Sequence, residues 1–412
     1  MKAKDEKTDF KQYWLWLTAL AFGFGSLGLY KPILGPYLKQ LGYSASVIGF
    51  TIGLLGLSKS LTNIPAGYFS DKIGRKPVAL VGMVALAVCF PFYIISKNIY
   101  VLSIARIIQG FGNSAAAQAT MTAAADLLSK RRALAMGLLE SINYVALTLC
   151  TLLAGYVAKT YGIVTAFYLG PPICLIGILI MWKFARETKP EVSDPPASTV
   201  NTVVCPDSDP EYKKPMDVWK KLLKNPGFAS MCYLGFMCKM TDEGILVTLI
   251  PLIAIMLGFN VAQIGGIMAM GYATFSLVQP VTGFVSDKIG RKPMFFTGLL
   301  LMAGATYLFP YAKEFWIFSA VVVMLKFGNA LLYPVLPAAA ADLSPIKFRS
   351  TGISIYRVFR DAGVFGGPII AGLLLDYMGK VNSFYFLSAM FIMGIILTLA
   401  FVKETLSHSS VH

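Results

Sequence analysis

The chain is 412 residues long, 56% hydrophobic and 14% charged, with a mean hydropathy of +0.65. Water-facing domains carry roughly 25% charged residues, so composition excludes a set of soluble domains. The net charge of +15 would point to nucleic acid on a soluble domain, but here it is gathered between apolar runs, and no nucleic-acid partner is expected.

A membrane-spanning helix needs about 20 predominantly apolar residues. Twelve such runs can be marked, at 13–39, 46–69, 77–97, 99–124, 134–158, 163–184, 226–257, 262–285, 293–312, 314–341, 350–375 and 381–402. The opening MKAKDEKTDFKQ is charged. The run behind it is too long for a signal-peptide core and lacks a small-residue exit, so the first helix is expected to be retained. In that span Gly23-Phe24-Gly25-Ser26-Leu27-Gly28 imitates a dinucleotide loop. It lies inside an apolar helix with no strand before it, so its glycines are assigned to close helix packing. The same span carries Lys31, placed to snorkel towards one membrane face, and the second carries Lys59 at its middle. The fourth span holds Arg106, Gln109 and Asn113 and ends at Asp126; the fifth opens with Glu140, Asn143 and Tyr144. Glu140 is read as a partner of Arg131 or Arg132.

Residues 185–222 are polar, contain Pro195-Pro196, and read as a linker. The linker runs into DVWKKLLK at 217–224, where Asp217 can cap a short basic amphipathic helix lying on the bilayer surface. The seventh span carries Lys239, Asp242 and Glu243, spaced so that the lysine shares a helix face with both carboxylates. The tenth holds Lys326, Asn329 and Tyr333 and ends at Asp342. The eleventh holds Arg357, Arg360 and Asp361, with Arg357 and Asp361 four residues apart.

Of the 36 Lys and Arg, 24 fall at the termini or in the even-numbered loops, against five in the odd loops: Lys39, Lys97, Lys159, Lys313 and Lys380. The positive-inside rule then places both termini and the even loops in the cytoplasm of a multi-pass cell-membrane protein. Five of the six cysteines lie in spans, where a free thiol behaves as a small apolar group, and Cys205 is alone in the linker. The only histidines, His408 and His412, end the chain. No metal site, cofactor loop or nucleophile–base pair is present, and no cofactor or enzymatic activity is expected.

Residues 67–77 read GYFSDKIGRKP and residues 283–293 read GFVSDKIGRKP, nine identities in eleven at an offset of 216. The same offset carries Ala125-Asp126-Leu127 onto Ala341-Asp342-Leu343, and Leu41-Gly42 onto Leu257-Gly258. The chain therefore divides into a six-helix bundle at 1–184, a linker at 185–222 and a second bundle at 223–412. Such duplicated bundles hold the substrate site near mid-membrane, between the halves. The expected fold is all-α: twelve transmembrane helices in two pseudo-symmetric six-helix bundles.

At these residues the sequence resembles the major facilitator superfamily. Gly67-x-x-x-Asp71-x-x-Gly74-Arg75-Lys76, repeated from Gly283 through Asp287, Gly290 and Arg291, is similar to its signature loop. Arg106-Ile-Ile-Gln109-Gly110 resembles a motif of its proton-coupled exporters. The Gly-Pro stretch that drug/proton antiporters carry in helix 5 is absent, and a similar one, Gly363-x-x-Gly366-Gly367-Pro368-x-x-x-Gly372, stands in helix 11. The resemblance implies that Asp71 meets the start of helix 11 near Gly352 and Asp287 the start of helix 5 near Gly137. It also implies that Arg75 pairs with Asp126 and Arg291 with Asp342, closing the cytoplasmic side.

An ionisable group inside a span costs at least about 2.5–3.5 kcal/mol, so each marks a site or a partner. Seven cations against four carboxylates leave the interior with a surplus of three, which favours an anionic or zwitterionic solute. Arg106, Gln109, Asn113, Tyr144, Lys239, Lys326, Asn329 and Tyr333 are the candidate substrate contacts, with Arg106 and Lys326 facing each other across the cavity. Asp242, Glu243 and Asp361 are the candidate proton carriers, since no histidine lies in a span. The expected function is alternating-access transport of a small organic solute, proton-coupled and outward. Uptake or exchange of an organic anion is the alternative, and a non-transporting sensor a further one. The expected partners are that solute, protons and the bilayer, with the chain acting as a monomer.

Overall fold

The computed structural model describes residues 2–128, 132–188, 215–345 and 348–402, and every regular element among them is helical. The first membrane pass is α1 (Lys2–Tyr30) followed after a turn by α2 (Leu34–Gln40). α3 (Ala45–Ile73), α4 (Arg75–Ile95), α5 (Ile99–Leu127) and α6 (Arg132–Tyr161) are passes two to five, and α7 (Ile163–Phe167) with α8 (Gly170–Phe184) makes the sixth. After α9 (Pro215–Lys224), the seventh pass is α10 (Pro226–Lys239), a π-helical stretch Met240–Leu249, and α11 (Ile250–Met256). α12 (Val261–Ile289), α13 (Arg291–Leu308), and α14 (Phe315–Leu332) with α15 (Val335–Asp342) are passes eight to ten. α16 (Arg349–Phe401) supplies the last two, broken at Gly379 (φ 72°, ψ 176°). That single left-handed glycine does the work of the loop expected at 376–380.

Among the described residues nine helical runs are long and apolar enough to cross a membrane, α16 being one run that makes two passes. The two passes that fall short are α5 and the seventh. They carry polar and charged side chains, Arg106, Gln109 and Asn113 on one and Lys239, Asp242 and Glu243 on the other.

The sequence repeat is a backbone repeat. α3 and α12 are each 29 residues long, contain a proline (Pro65, Pro280), and stop at a glycine of positive φ, Gly74 (+124°) or Gly290 (+109°). An L side chain rarely adopts that conformation, and it lets α4 and α13 begin at the very next residue. Helix starts follow the expected chemistry: Asn225 accepts from Gly227 N, and Asn260 with Gln263 forms a capping box. α9 begins two residues before Asp217, so Asp217 lies in its first turn and not at the cap position proposed from sequence. Gly28 presses α1 on α6, where a Cβ would lie 2.6 Å from the Leu147 carbonyl oxygen, the packing role assigned to these glycines.

The two halves are joined tightly at one end. α3 lies so close to α16 that a Cβ on Gly53 would sit 2.6 Å from the Phe365 carbonyl oxygen, and one on Gly56 2.6 Å from Phe365 N. A Cβ on Gly49 or Gly372 would likewise run into Pro368 or Ala45, and on the other flank one on Gly155 of α6 would lie 3.1 Å from Gly265 and Val261 of α12. Towards the basic loops this ends: a Cβ on Gly67, Gly137 or Gly283 would meet nothing within 4 Å. The helices splay there, and a cavity opens between them on the side of the basic loops.

Candidate functional site

The cavity lies on the seam, lined by α1, α3, α5 and α6 from one half and by the seventh pass, α12, the tenth pass and α16 from the other. Its volume is about 1290 Å³ with the open mouth included. At its closed end the Lys31 ammonium lies 2.8 Å from Glu243 Oε1, with side chains only 9% and 15% exposed, and 5.4 Å from the centre of the Tyr272 ring. Lys31 therefore does not snorkel, because a carboxylate of the opposite half sits within reach of its stem. Nor does Glu243 pair with Lys239, as helix spacing suggested.

The π-helical stretch separates the two neighbouring carboxylates. The Thr248 hydroxyl donates to the Glu243 carbonyl oxygen five residues back, at 2.8 Å. The Glu243 side chain reaches across the seam to Lys31, in the turn after α1, while Asp242 faces its own bundle. Asp242 Oδ2 pairs with Lys239 at 3.2 Å, Oδ1 pairs with Lys326, and Oδ1 also accepts from Asn329 Nδ2 at 2.8 Å. Lys239 in turn lies 4.6 Å over the Tyr333 ring. π-helical turns recur at functional sites.

Half of the proposed substrate contacts line this cavity: Asn113, Tyr144, Lys239 and Tyr333. The other half lie behind its wall. Arg106 is fully buried, donating to Gln109 Oε1 at 2.7 Å and to the Ile52 carbonyl at 2.9 Å, with its guanidinium 4.4 Å over Tyr30. Lys326 and Asn329 are likewise fully buried on Asp242. The cation pair facing across the cavity is thus corrected, since each cation turns to partners inside its own bundle. The repeat puts the two on equivalent faces, but their flexible stems turn to nearer partners.

Other residues take their place. Asn113 Oδ1, Asn143 Oδ1 and the Tyr272 hydroxyl are buried without a protein partner and belong to lining residues. Lys59 and Arg357 also line the cavity, and among the described residues neither forms an ion pair. The expected Arg357–Asp361 pair is replaced by Arg360–Asp361 at 2.7 Å. Glu140 lines the mouth near Gln118 and Met121; Arg131 and the Arg132 side chain lie outside the described residues. Tyr144, Phe275 and Tyr333 form an aromatic wall with ring centres 4.7 and 5.4 Å apart.

At the basic loops Arg75 Nε lies 3.2 Å from Asp126 Oδ2 and Nη1 donates to the Ser70 carbonyl at 3.1 Å. Arg291 pairs with Asp342. Asp71 is 68% exposed and pairs with Arg75 of its own loop at 3.1 Å. Gly352 is packed on Ser344. The contact of Asp71 with the start of the eleventh pass is therefore not made in this arrangement, because this end of the seam is open; the Asp287 side chain lies outside the described residues. Sequence reasoning passed over Glu187, whose carboxylate caps α4 by accepting from Arg75 N at 2.8 Å and Lys76 N at 3.0 Å. The only signal was an acidic residue beyond the sixth span.

The Major Facilitator Superfamily family model matches residues 15–275 and 232–411. An uncharacterised transporter of that type from Methanocaldococcus jannaschii is 23% identical over 390 residues, 93% of this chain and 96% of its own. Multidrug resistance protein 1 of Bacillus subtilis is 23% identical over 395 residues, 93% and 94% of the two chains. The sialic acid transporter NanX of Escherichia coli is 24% identical over 342 residues, 81% and 80%. Among solved structures, a variant of the nucleoside transporter NupG superposes with a TM-score of 0.80 at 13% identity, covering 95% of this chain and all of that one.

Proposed function

The chain belongs to the major facilitator superfamily, and from that premise we propose that it carries a small organic anion or zwitterion across the membrane by alternating access, coupled to protons. The basic loops and both termini face the cytoplasm on this reading, so the cavity described above is open inward. The single observation that carries the proposal is the seam cavity itself. It is sealed at one end by a charged pair between the halves, and it is lined by Lys59, Arg357 and two unpartnered carboxamides.

Asp242, Glu243 and Asp361 were the candidate proton carriers. Asp242 and Asp361 are paired within their own bundle, so the pairing survives any movement of the halves. Glu243 is paired across the seam, and opening that end strips it of its cation. Glu243 is the proton carrier we propose.

Export is the direction that the Bacillus multidrug relative supports. Uptake or exchange of an organic anion is the second reading, favoured by the cationic lining and by the sialic acid relative. A thermal-shift screen of anionic, zwitterionic and cationic solutes tests the substrate class, since a ligand of the native state raises its melting temperature. Anions or zwitterions should stabilise the protein, and Lys59→Met should weaken their binding about tenfold, the loss of one charge-assisted contact. Stabilisation by lipophilic cations alone would refute the class. Uptake into proteoliposomes under an imposed pH gradient then fixes coupling and direction.

A further inference from the structure

α3 and the first arm of α16 run antiparallel along the seam, one from each half. Each begins where the other ends. At the sealed end Asp376, three residues before the break at Gly379, reaches the first turn of α3. Its Oδ1 accepts from Ala45 N at 3.0 Å, and its Oδ2 accepts from Ser46 N at 2.7 Å and from the Ser46 hydroxyl at 2.6 Å. A helix start exposes unpaired N–H groups and about half a positive charge, which a carboxylate satisfies. Ser44 already caps this helix from its own half through Val47 N. The Asp376 contact is additional to that cap, and it ties α3 to the opposite half.

At the other end the roles are exchanged. α3 finishes beside Asp71, and α16 starts at Arg349. Asp71 is turned to solvent and to Arg75. Between the ends the helices touch at Gly49, Gly53 and Gly56, backbone against backbone, while Gly67 stands free. In this arrangement the two helices are therefore close at the sealed end and apart at the basic end.

We infer that Asp376 is the latch of the sealed side, the counterpart of Asp71 on the basic side. Each of two antiparallel helices carries near its C-terminal end an aspartate for the first turn of the other, and the two contacts are made in alternate states. Asp376 holds the arrangement seen here; Asp71 is free to take its turn when the basic side closes. The inference rests on the alternating-access reading, but its test needs no substrate.

Full-length protein with its native cysteines replaced is spin-labelled at Lys97 and Lys313, exposed residues at the sealed end in opposite halves, and the distance distribution is measured in lipid nanodiscs. Asp376→Asn keeps the size and removes the charge, and should raise the open-to-closed ratio at that end about tenfold, the loss of one hydrogen bond to a charged acceptor. Ser46→Ala removes only the hydroxyl bond and should shift the ratio the same way by less. Asp71→Asn should shift it the opposite way, and the double variant Asp71→Asn/Asp376→Asn should return towards the wild-type ratio. An unchanged ratio in both Asp376→Asn and Ser46→Ala overturns the latch, as does a double variant no different from Asp376→Asn alone. Absence of transport by the wild-type protein, with the ratios shifting as expected, would count against the transport reading only. Intact proton-driven transport with unmoved ratios would count against the latch only.

Discussion

Replacing Glu243 with Gln removes the negative partner from a pair that joins the two halves at the bottom of the cavity. Lys31 and Glu243 side chains are 9% and 15% exposed, so solvent screening is slight while that end stays shut. Breaking a buried pair by neutralising one partner costs about 3–5 kcal/mol. Gln retains an oxygen to accept from Lys31, and the Tyr272 ring remains 5.4 Å from the ammonium, so the realised loss is smaller, about 1–3 kcal/mol. The two groups sit on different halves, and Lys31 regains water when the end opens. The loss therefore falls on the closed arrangement and leaves each bundle's own stability alone. A difference of that size moves an equilibrium about 5–150-fold. The Lys97/Lys313 spin pair reads the change directly. Wild-type protein should open at this end as the pH falls and Glu243 takes up a proton, whereas Glu243→Gln should already be open and indifferent to pH. Lys31→Met/Glu243→Gln, with both charges gone, should recover most of the closed population. A Glu243→Gln protein with the wild-type population and the wild-type pH response would refute the reasoning.

The Asp242 cluster should behave in the opposite way: Asp242→Asn strands the fully buried Lys326 and should destabilise the fold by about 3–5 kcal/mol, visible in thermal unfolding. Lys326→Met in the same chain should restore part of that loss, because the fully buried cation is gone while Lys239 loses its carboxylate and keeps only the Tyr333 ring. Gly53→Ala puts a Cβ 2.6 Å from the Phe365 carbonyl oxygen, so it should disfavour the sealed seam and lengthen the Lys97/Lys313 distance, with little change in the α3 helix itself.

Much of the architecture was legible because bilayers impose it. Runs of about 20 apolar residues and basic loops leave few alternatives to a helical bundle, and the duplicated GRKP loops fixed the symmetry. The sequence also marked the right helices for the site, since an unexplained charge in a span is rare. It did not reveal which charges meet. Lys31 and Glu243 are 212 positions apart, in different halves, and nothing in local spacing connects them. Helix periodicity assumed one regular spiral through 239–243, whereas the chain changes to π geometry at Met240. Arg106 and Lys326 were mispaired because the repeat reports the face on which a Cα sits and says nothing of where a long stem bends. Asp376 was missed for a simpler reason: it falls one residue past the expected end of a span and read as loop.

The arrangement of these charges bears on how a proton can be coupled to movement at all. A proton biases a conformational equilibrium only to the extent that it binds the two states with different affinity. Lys239, Asp242, Lys326 and Asn329 all belong to the second bundle. Their contacts travel together within that bundle, so protonating Asp242 should bias the two states less than protonating a group paired across the seam. Arg360 and Asp361 are sequence neighbours, and the same reasoning applies to them. Glu243 differs from Asp242 by one position and by the half of the molecule its partner belongs to. Its surroundings change in the step that opens the sealed end, when Lys31 leaves with the first bundle. Two adjacent carboxylates on one π-helical turn thus divide the work. Asp242 neutralises a buried lysine pair within one bundle, and Glu243 is the candidate carrier whose ion-pair partner lies in the other half, which is why we propose it for coupling.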